Sequence, residues 1–136
     1  MAKLARTALS LEENLLTAFD RWMASHGYTN RSQAVRDLIR SALIEEEWSD
    51  PRARVVAALS LIYDHAAHTL AQAITQIQHE DHHAILCSQH VHLDRHRCLE
   101  VILMQGTAAQ LRRLSDAIVA TRGVQAGKLT LMSKNL

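Results

Sequence analysis

Aromatic residues are scarce in this chain of 136 residues: two tryptophans, two tyrosines and one phenylalanine. Single-stranded nucleic acid is held largely by stacking bases on aromatic rings, so that mode of binding has little to work with here. Charge of one sign is also lacking. Fifteen Lys and Arg against fourteen Asp and Glu leave a formal net charge of +1, which neither demands nor excludes nucleic acid. Any DNA contact must come from local placement of charge rather than bulk charge. No run of eighteen apolar residues occurs, so no segment is expected to span a membrane. Met1-Ala2-Lys3-Leu4-Ala5-Arg6 lacks a signal-peptide hydrophobic core, which makes the cytoplasm the expected compartment. The two cysteines, Cys87 and Cys98, do not make a disulfide framework.

Proline occurs once, at Pro51, and divides the chain into two segments of different pattern. With about half of its residues hydrophobic, a chain of this length fits one ordinary domain or two very small ones. In the first segment, residues 4–10 alternate weakly and predict one short strand. Ser10-Leu11-Glu12-Glu13 has the form of a capping box. Leu15, Leu16, Phe19, Trp22 and Met23 then recur at helical spacing, and Gly27 supplies the stop. Asn30-Arg31-Ser32-Gln33 starts a second helix with Val35, Leu38, Ile39, Ala42 and Leu43 as its apolar stripe. Glu45-Glu46-Glu47 and Ser49-Asp50-Pro51 end it. One strand cannot satisfy its own backbone groups, and fifty residues make a poor core. The economical solution is a dimer in which two such strands pair.

The second segment predicts a strand through Val55–Ile62, a helix over 66–78, and a hairpin of 84–93 with 97–105. A helix from Gly106-Thr107 to Thr121 and a strand over 128–132 complete it. The order βαββαβ is the ferredoxin-like unit, so the fold class is α+β. Ile85, Val91, Leu93, Leu99, Val101 and Leu103 are expected to face the helices. His90, His92 and Cys98, with Leu86, Ile102 and Met104, are assigned to the opposite face, which is apolar enough to imply an oligomer contact.

Histidine is what the chain has in excess. Six fall within the eighteen residues from His79 to His96, followed by Cys98. Residues two apart on a strand share a face, so His90 and His92 point the same way. Asp94-Arg95-His96 reads as a turn that returns Cys98 opposite His92. Side chains paired across antiparallel strands stand about 5 Å apart at Cβ, close enough to grip one ion. Two imidazoles and a thiolate on one hairpin face indicate a transition-metal binder, and spacing alone does not separate nickel from a zinc site of one cysteine and three histidines. Cys87 falls on the other face of the strand. His26, His65, His68 and His96 read as ordinary polar residues, whereas His82 and His83 stand between that reading and a secondary metal site.

Three stretches in order carry a resemblance: Gly27-Tyr28-x-Asn30-Arg31-Ser32-x-Ala34-x-Arg36-Asp37, then Gln78-His79, then His90-x-His92-x5-Cys98-Leu99-Glu100. Nearly the whole chain resembles the nickel-responsive transcriptional regulator family, ribbon-helix-helix repressors fused to a ferredoxin-like regulatory domain of the ACT type. The resemblance implies a ribbon-helix-helix DNA-binding and dimerisation domain over 1–48 and an ACT-like metal-binding and tetramerisation domain over 52–136. It implies a cytoplasmic homotetramer, a dimer of dimers, on double-stranded operator DNA, with one square-planar Ni(II) per subunit. His90, His92 and Cys98 of one protomer and His79 of another would be its ligands, and Glu100 an orienting carboxylate behind them. Outward Arg6, Ala8 and Ser10 would read bases from the ribbon in the major groove, with Asn30 and Arg31 on the backbone.

The family presents Arg, Thr and Thr where this chain has Arg6, Ala8 and Ser10. Its potassium-binding carboxylate pair is here Gln33 and Asp37, and two phosphate-contacting basic positions are Ala67 and His68. The reading is a non-enzymatic repressor of nickel uptake. The rival is a metal-buffering protein, or a sensor of cobalt, copper or zinc, with a weakened DNA arm. An enzyme fits poorly, because His79 fills the position a substrate would need.

Overall fold

A computed structural model describes residues 4–64, 66 and 68–136, the side chains at 68, 69 and 78 excepted. The readings that concern Met1–Lys3, His65, Ala67 and the side chains of His68 and Gln78 lie outside the described residues. The chain divides into two compact units, Met1–Arg40 and Ser41–Leu136.

The first unit holds helix α1 (Glu13–Ser25) and the opening turns of helix α2 (Arg31–Ser49). Residues 4–12 carry no regular structure and are all exposed. The strand expected over 4–10 is therefore not formed in the single chain. A strand needs a neighbour to take its alternate N–H and C=O groups, and none is present among the described residues. The capping box is not used either. Glu12 occupies the N-cap with no side-chain cap bond, which leaves Ser10 two residues too early. The other end of α1 follows its sequence signal. Gly27 takes φ 75°, a conformation that costs glycine little, while Tyr28 N donates to Met23 O at 2.9 Å and Gly27 N to Ala24 O at 3.4 Å. Asn30 Oδ1 then accepts from Gln33 N at 3.1 Å and caps α2. Within this unit only Met23 and Ala34 are buried among the described residues. Leu9 and Leu15 stay 62% and 51% exposed and Ile39 53%. By itself the unit has almost no core.

The second unit is a four-stranded antiparallel sheet in the order β2-β3-β1-β4. Its elements are β1 (Arg54–Asp64), α3 (His68–Glu80), β2 (Ile85–His92), β3 (Arg97–Thr107), α4 (Ala108–Val119) and β4 (Val124–Met132). Strand β1 alternates strictly, with Val55, Ala57, Leu59, Leu61 and Tyr63 buried on one side. Thr107 Oγ1 accepts from Gln110 N and starts α4, whose Leu111, Leu114 and Ile118 close over the sheet together with Leu70 and Ile74 of α3. Each such side chain contributes roughly 1.5–3 kcal/mol when fully buried. The end of α2 belongs to this unit. Trp48 is buried in the same core, its Nε1 donates to Met132 O at 3.0 Å, and the Arg112 guanidinium lies 5.3 Å from its ring centre.

The two faces of the sheet are the reverse of the expected assignment. Cys98, Glu100, Ile102 and Met104 are buried under the helices, whereas Val91, Leu93 and Leu103 are exposed on the open face and Leu99 and Val101 half-buried there. A bulge between Ile85 and Cys87 explains part of the difference. Ile85 pairs with Met104 but Cys87 pairs with Leu103, so Leu86 is the extra residue and every later position in β2 changes side. Ile85 packs on the core as expected, and Val91 does not. No helix among the described residues is long and apolar enough to cross a membrane.

Candidate metal centre

The hairpin of β2 and β3 is closed by Asp94, whose Oδ1 accepts from the backbone N–H groups of His96 and Arg97, each at 2.8 Å, while Arg97 Nε donates to its other oxygen at 2.8 Å. These N–H groups, with the Arg97 guanidinium, hold the Asp94 carboxyl down to about 2. The tight turn sets the register that follows: His92 opposite Cys98, and His90 opposite Glu100. Both pairs project on the covered face, at the hairpin end. His90 and His92 remain exposed, while Cys98 is 0% exposed.

The donor atoms of His90, His92 and Cys98 all lie within 4.8 Å of one another. Cys98 Sγ is 3.4 Å from His92 Nδ1. A nitrogen about 2.0 Å and a sulfur about 2.3 Å from one ion stand roughly 3–3.5 Å apart, so this pair already has the spacing of two ligands. The His90 and His92 rings meet edge to face, with centroids 4.8 Å apart.

Tyr63, on the neighbouring strand β1 and paired in register with Cys98, completes the arrangement. Its hydroxyl donates to Glu100 Oε2 at 3.0 Å and lies 2.9 Å from His90 Nδ1. Burial, reinforced by the Glu100 charge, pushes the Tyr63 phenol well above its ordinary range, so it keeps its proton. That one proton goes to Glu100, and the oxygen accepts from His90 Nδ1–H. The lone pair of His90 is thereby left on Nε2, where a metal would take it. Burial also raises the Cys98 thiol, and the carboxylates of Asp94, Glu100 and Asp64 add to the shift. A cation at the site reverses both effects, which makes metal binding a proton-releasing step. Two imidazoles, one with its tautomer held, and a buried thiol ringed by negative charge fit a divalent transition-metal ion.

The remaining predicted residues lie elsewhere. His79 is exposed at the end of α3, outside the group of three. Glu100 is buried and accepts from Tyr63 Oη, which also lies against His90 Nδ1. Arg6, Ala8 and Ser10 are exposed in the irregular segment, and Asn30 serves as a helix cap. Arg31 grips Asp20 with two bonds, Nε to Oδ1 at 2.8 Å and Nη2 to Oδ2 at 2.6 Å. Asp37 accepts from Tyr28 Oη at 3.2 Å and from Arg40 at 3.1 Å. Tyr63 was not among the expected site residues. Its signal in the sequence is slight: a tyrosine in step with Leu59 and Leu61 on an inward face, whose buried hydroxyl must find a partner.

Sheet and donor set together define an α+β domain fitted to hold a transition-metal ion. Residues 56–132 match the family described as NikR C terminal nickel binding domain. Relatives described as nickel-responsive regulators include one from Solibacter usitatus, 44% identical over 131 residues that make up 96% of this chain and 94% of that protein. Another, from Trichlorobacter lovleyi, is 38% identical over 133 residues, 98% of this chain and 96% of its own. The chain belongs to the nickel-responsive regulator family. Among solved structures, an uncharacterized protein from Thermotoga maritima shares the fold alone, with a TM-score of 0.51 and 11% identity over 57% of this chain and 96% of that one.

Proposed function

We propose that the protein is a nickel-responsive repressor that binds operator DNA when its C-terminal domain holds Ni(II). The observation that carries this reading is the convergence of His90, His92 and Cys98 within 4.8 Å, with Tyr63 fixing the His90 tautomer. Residues 52–136 form the metal-binding and tetramerisation domain, and residues 1–48 the ribbon-helix-helix DNA-binding and dimerisation domain. Each subunit carries one Ni(II), held by its own His90, His92 and Cys98 and by His79 of another subunit. Glu100 orients the ligands through Tyr63. The near absence of a core in the first unit supports an intertwined dimer in which residues 4–10 of two chains pair. The apolar open face of the sheet, with Val91, Leu93 and Leu103, supports a second contact that makes the tetramer. In the paired ribbon Arg6 reads bases, with Ala8 and Ser10 beside it, while Asn30 and Arg31 face the phosphates. Metal raises DNA affinity only if it favours the assembly that places both ribbons on the operator.

Electrophoretic mobility shift with promoter DNA of the nickel-uptake genes, with and without Ni(II), is the deciding experiment. Retardation that requires Ni(II) and disappears in Cys98→Ala is the expected outcome. Equal retardation in both conditions overturns the regulatory reading. Ala8 favours one alternative, a metal-buffering protein whose DNA arm is weakened, because its side chain cannot hydrogen-bond a base edge. Tight Ni(II) binding with no retardation of any promoter fragment would establish that alternative.

A further inference from the structure

Asp20 and Arg31 lie on different helices of the first unit, eleven residues apart in sequence. The turn between the helices brings them together. Gly27 takes its left-handed conformation there, Tyr28 N returns to Met23 O at 2.9 Å, and α2 starts with Arg31 against the face of α1 that carries Asp20. The contact is made edge to edge: Arg31 Nε donates to Asp20 Oδ1 at 2.8 Å and Nη2 to Oδ2 at 2.6 Å. A guanidinium is planar and has two edges that can each hold an oxyanion, Nε with Nη2 and Nη1 with Nη2. The carboxylate fills the first. Nη1 has no partner among the described residues, Nη2 keeps a second N–H, and the side chain remains 59% exposed. An ion pair this exposed adds little to stability. Its larger effect is to remove the freedom of a long side chain while one donor edge stays open.

We propose that Asp20 is a positioning residue for DNA binding: it holds the Arg31 guanidinium by the Nε edge and so presents the Nη edge to a backbone phosphate. The proposal rests on the reading in which Arg31 faces the phosphates, and it deepens that reading. Carboxylate and phosphate oxygens both suit the fork, and one guanidinium can hold the two at once because the edges share only Nη2, which has two hydrogens. The dipole of α2, positive at the end where Arg31 sits, favours an anion at the same place. The side chain is ordered before DNA arrives, so association does not have to immobilise it. The consequence runs against simple electrostatics. Removing a carboxylate from a DNA-binding surface ordinarily tightens binding, whereas loss of Asp20 should loosen it.

The test follows full-length, nickel-loaded protein by fluorescence anisotropy on labelled nickel-uptake promoter DNA and on an unrelated duplex. Asp20→Ala should lower affinity for both by roughly two- to tenfold for each Arg31 engaged, the cost of ordering one long side chain at an interface. Glu13→Gln removes a carboxylate of the same helix outside the pair, and should leave binding unchanged or tighter. Arg31→Lys keeps the charge without the fork and should lose affinity as Asp20→Ala does. Asp20→Ala added to Arg31→Gln should cost nothing further, because the carboxylate acts only through the guanidinium. Circular dichroism and the Ni(II)–thiolate band check that each variant keeps its fold and its metal. The wild type separates the two ideas. If it binds no DNA with Ni(II), the regulatory reading falls and this proposal with it. If it binds, and Asp20→Ala binds as tightly or more tightly, the role of Asp20 alone is overturned; a further loss in the double variant overturns it as well.

Discussion

Tyr63 donates its one proton to Glu100 and accepts from His90 Nδ1–H, so it leaves Nε2 as the nitrogen that His90 would offer a metal. Tyr63→Phe keeps the ring in the core but releases both partners. Nickel affinity measured by chelator competition should fall by about 10–100-fold, the usual consequence of losing an orienting partner. The Ni(II)–thiolate charge-transfer band should persist, because Cys98 and His92 are untouched. An unchanged affinity would show that the His90 tautomer does not depend on Tyr63. At the other end of the chain, Asp20 is held below the ordinary carboxylate value, first by its hydrogen bond from Arg31. A lowered folded pKa means that its contribution is complete above the unfolded value of about 3.9 and is lost as pH falls through the lower folded value. Carboxyl chemical shifts should therefore place the Asp20 midpoint below that of a free aspartate, and Arg31→Gln should return it toward the ordinary value. Both partners are well exposed, so salt should blunt the effect.

Among the elements, α2 shows how far a helix is legible from its stripe. Its start at Asn30-Arg31 and its apolar positions follow from spacing, but the role of Trp48 does not. A tryptophan after three glutamates reads as the frayed end of a surface helix, yet its ring lies in the core of the second unit. Trp48→Ala should cost about 3–5 kcal/mol in chemical denaturation of that unit. Trp48→Phe should cost much less, since it gives up mainly the bond to Met132 O, worth about 1 kcal/mol. Strand β3 marks the opposite limit. Both of its faces are apolar, so alternation establishes the strand and leaves open which face is covered. Glu100 argues for the solvent side, since a buried carboxylate is costly without a partner. The partner, Tyr63, lies 37 residues away in sequence. The convergence of His90, His92 and Cys98 was legible because its logic is local: a period of two and a short turn. The order and class of the second unit were legible for the same reason. What was not legible depended on contacts between distant strands, or on a neighbouring chain, as with residues 4–10.

For the whole molecule the central expectation is that the metal site is shared between subunits. His79→Ala alone and Cys98→Ala alone should each bind nickel poorly. When the two variants are mixed and subunits exchange, a fraction of the sites should regain the charge-transfer band, because each intact site draws His79 and Cys98 from different chains. Mixed species that form, as judged by mass spectrometry, but stay colourless would put all four ligands on one chain, whereas a band already present in His79→Ala alone would remove His79 from the set. Sedimentation of the wild-type protein at micromolar concentration should give a tetramer, and a stable monomer would contradict the proposed assembly.

The extra residue in β2 bears on how this hairpin can change length over generations. Ile85 and Cys87 face neighbouring residues of β3, and Leu86 alone stands out of step, 55% exposed. Losing Leu86 would restore an even ladder and leave both histidines on their present side. Because the turn fixes His92 opposite Cys98, losing or gaining one residue between His90 and His92 would turn His90 to the open face, away from Cys98. A census of hairpin lengths among functional descendants should accordingly find single-residue gaps tolerated at Leu86 and absent between His90 and His92.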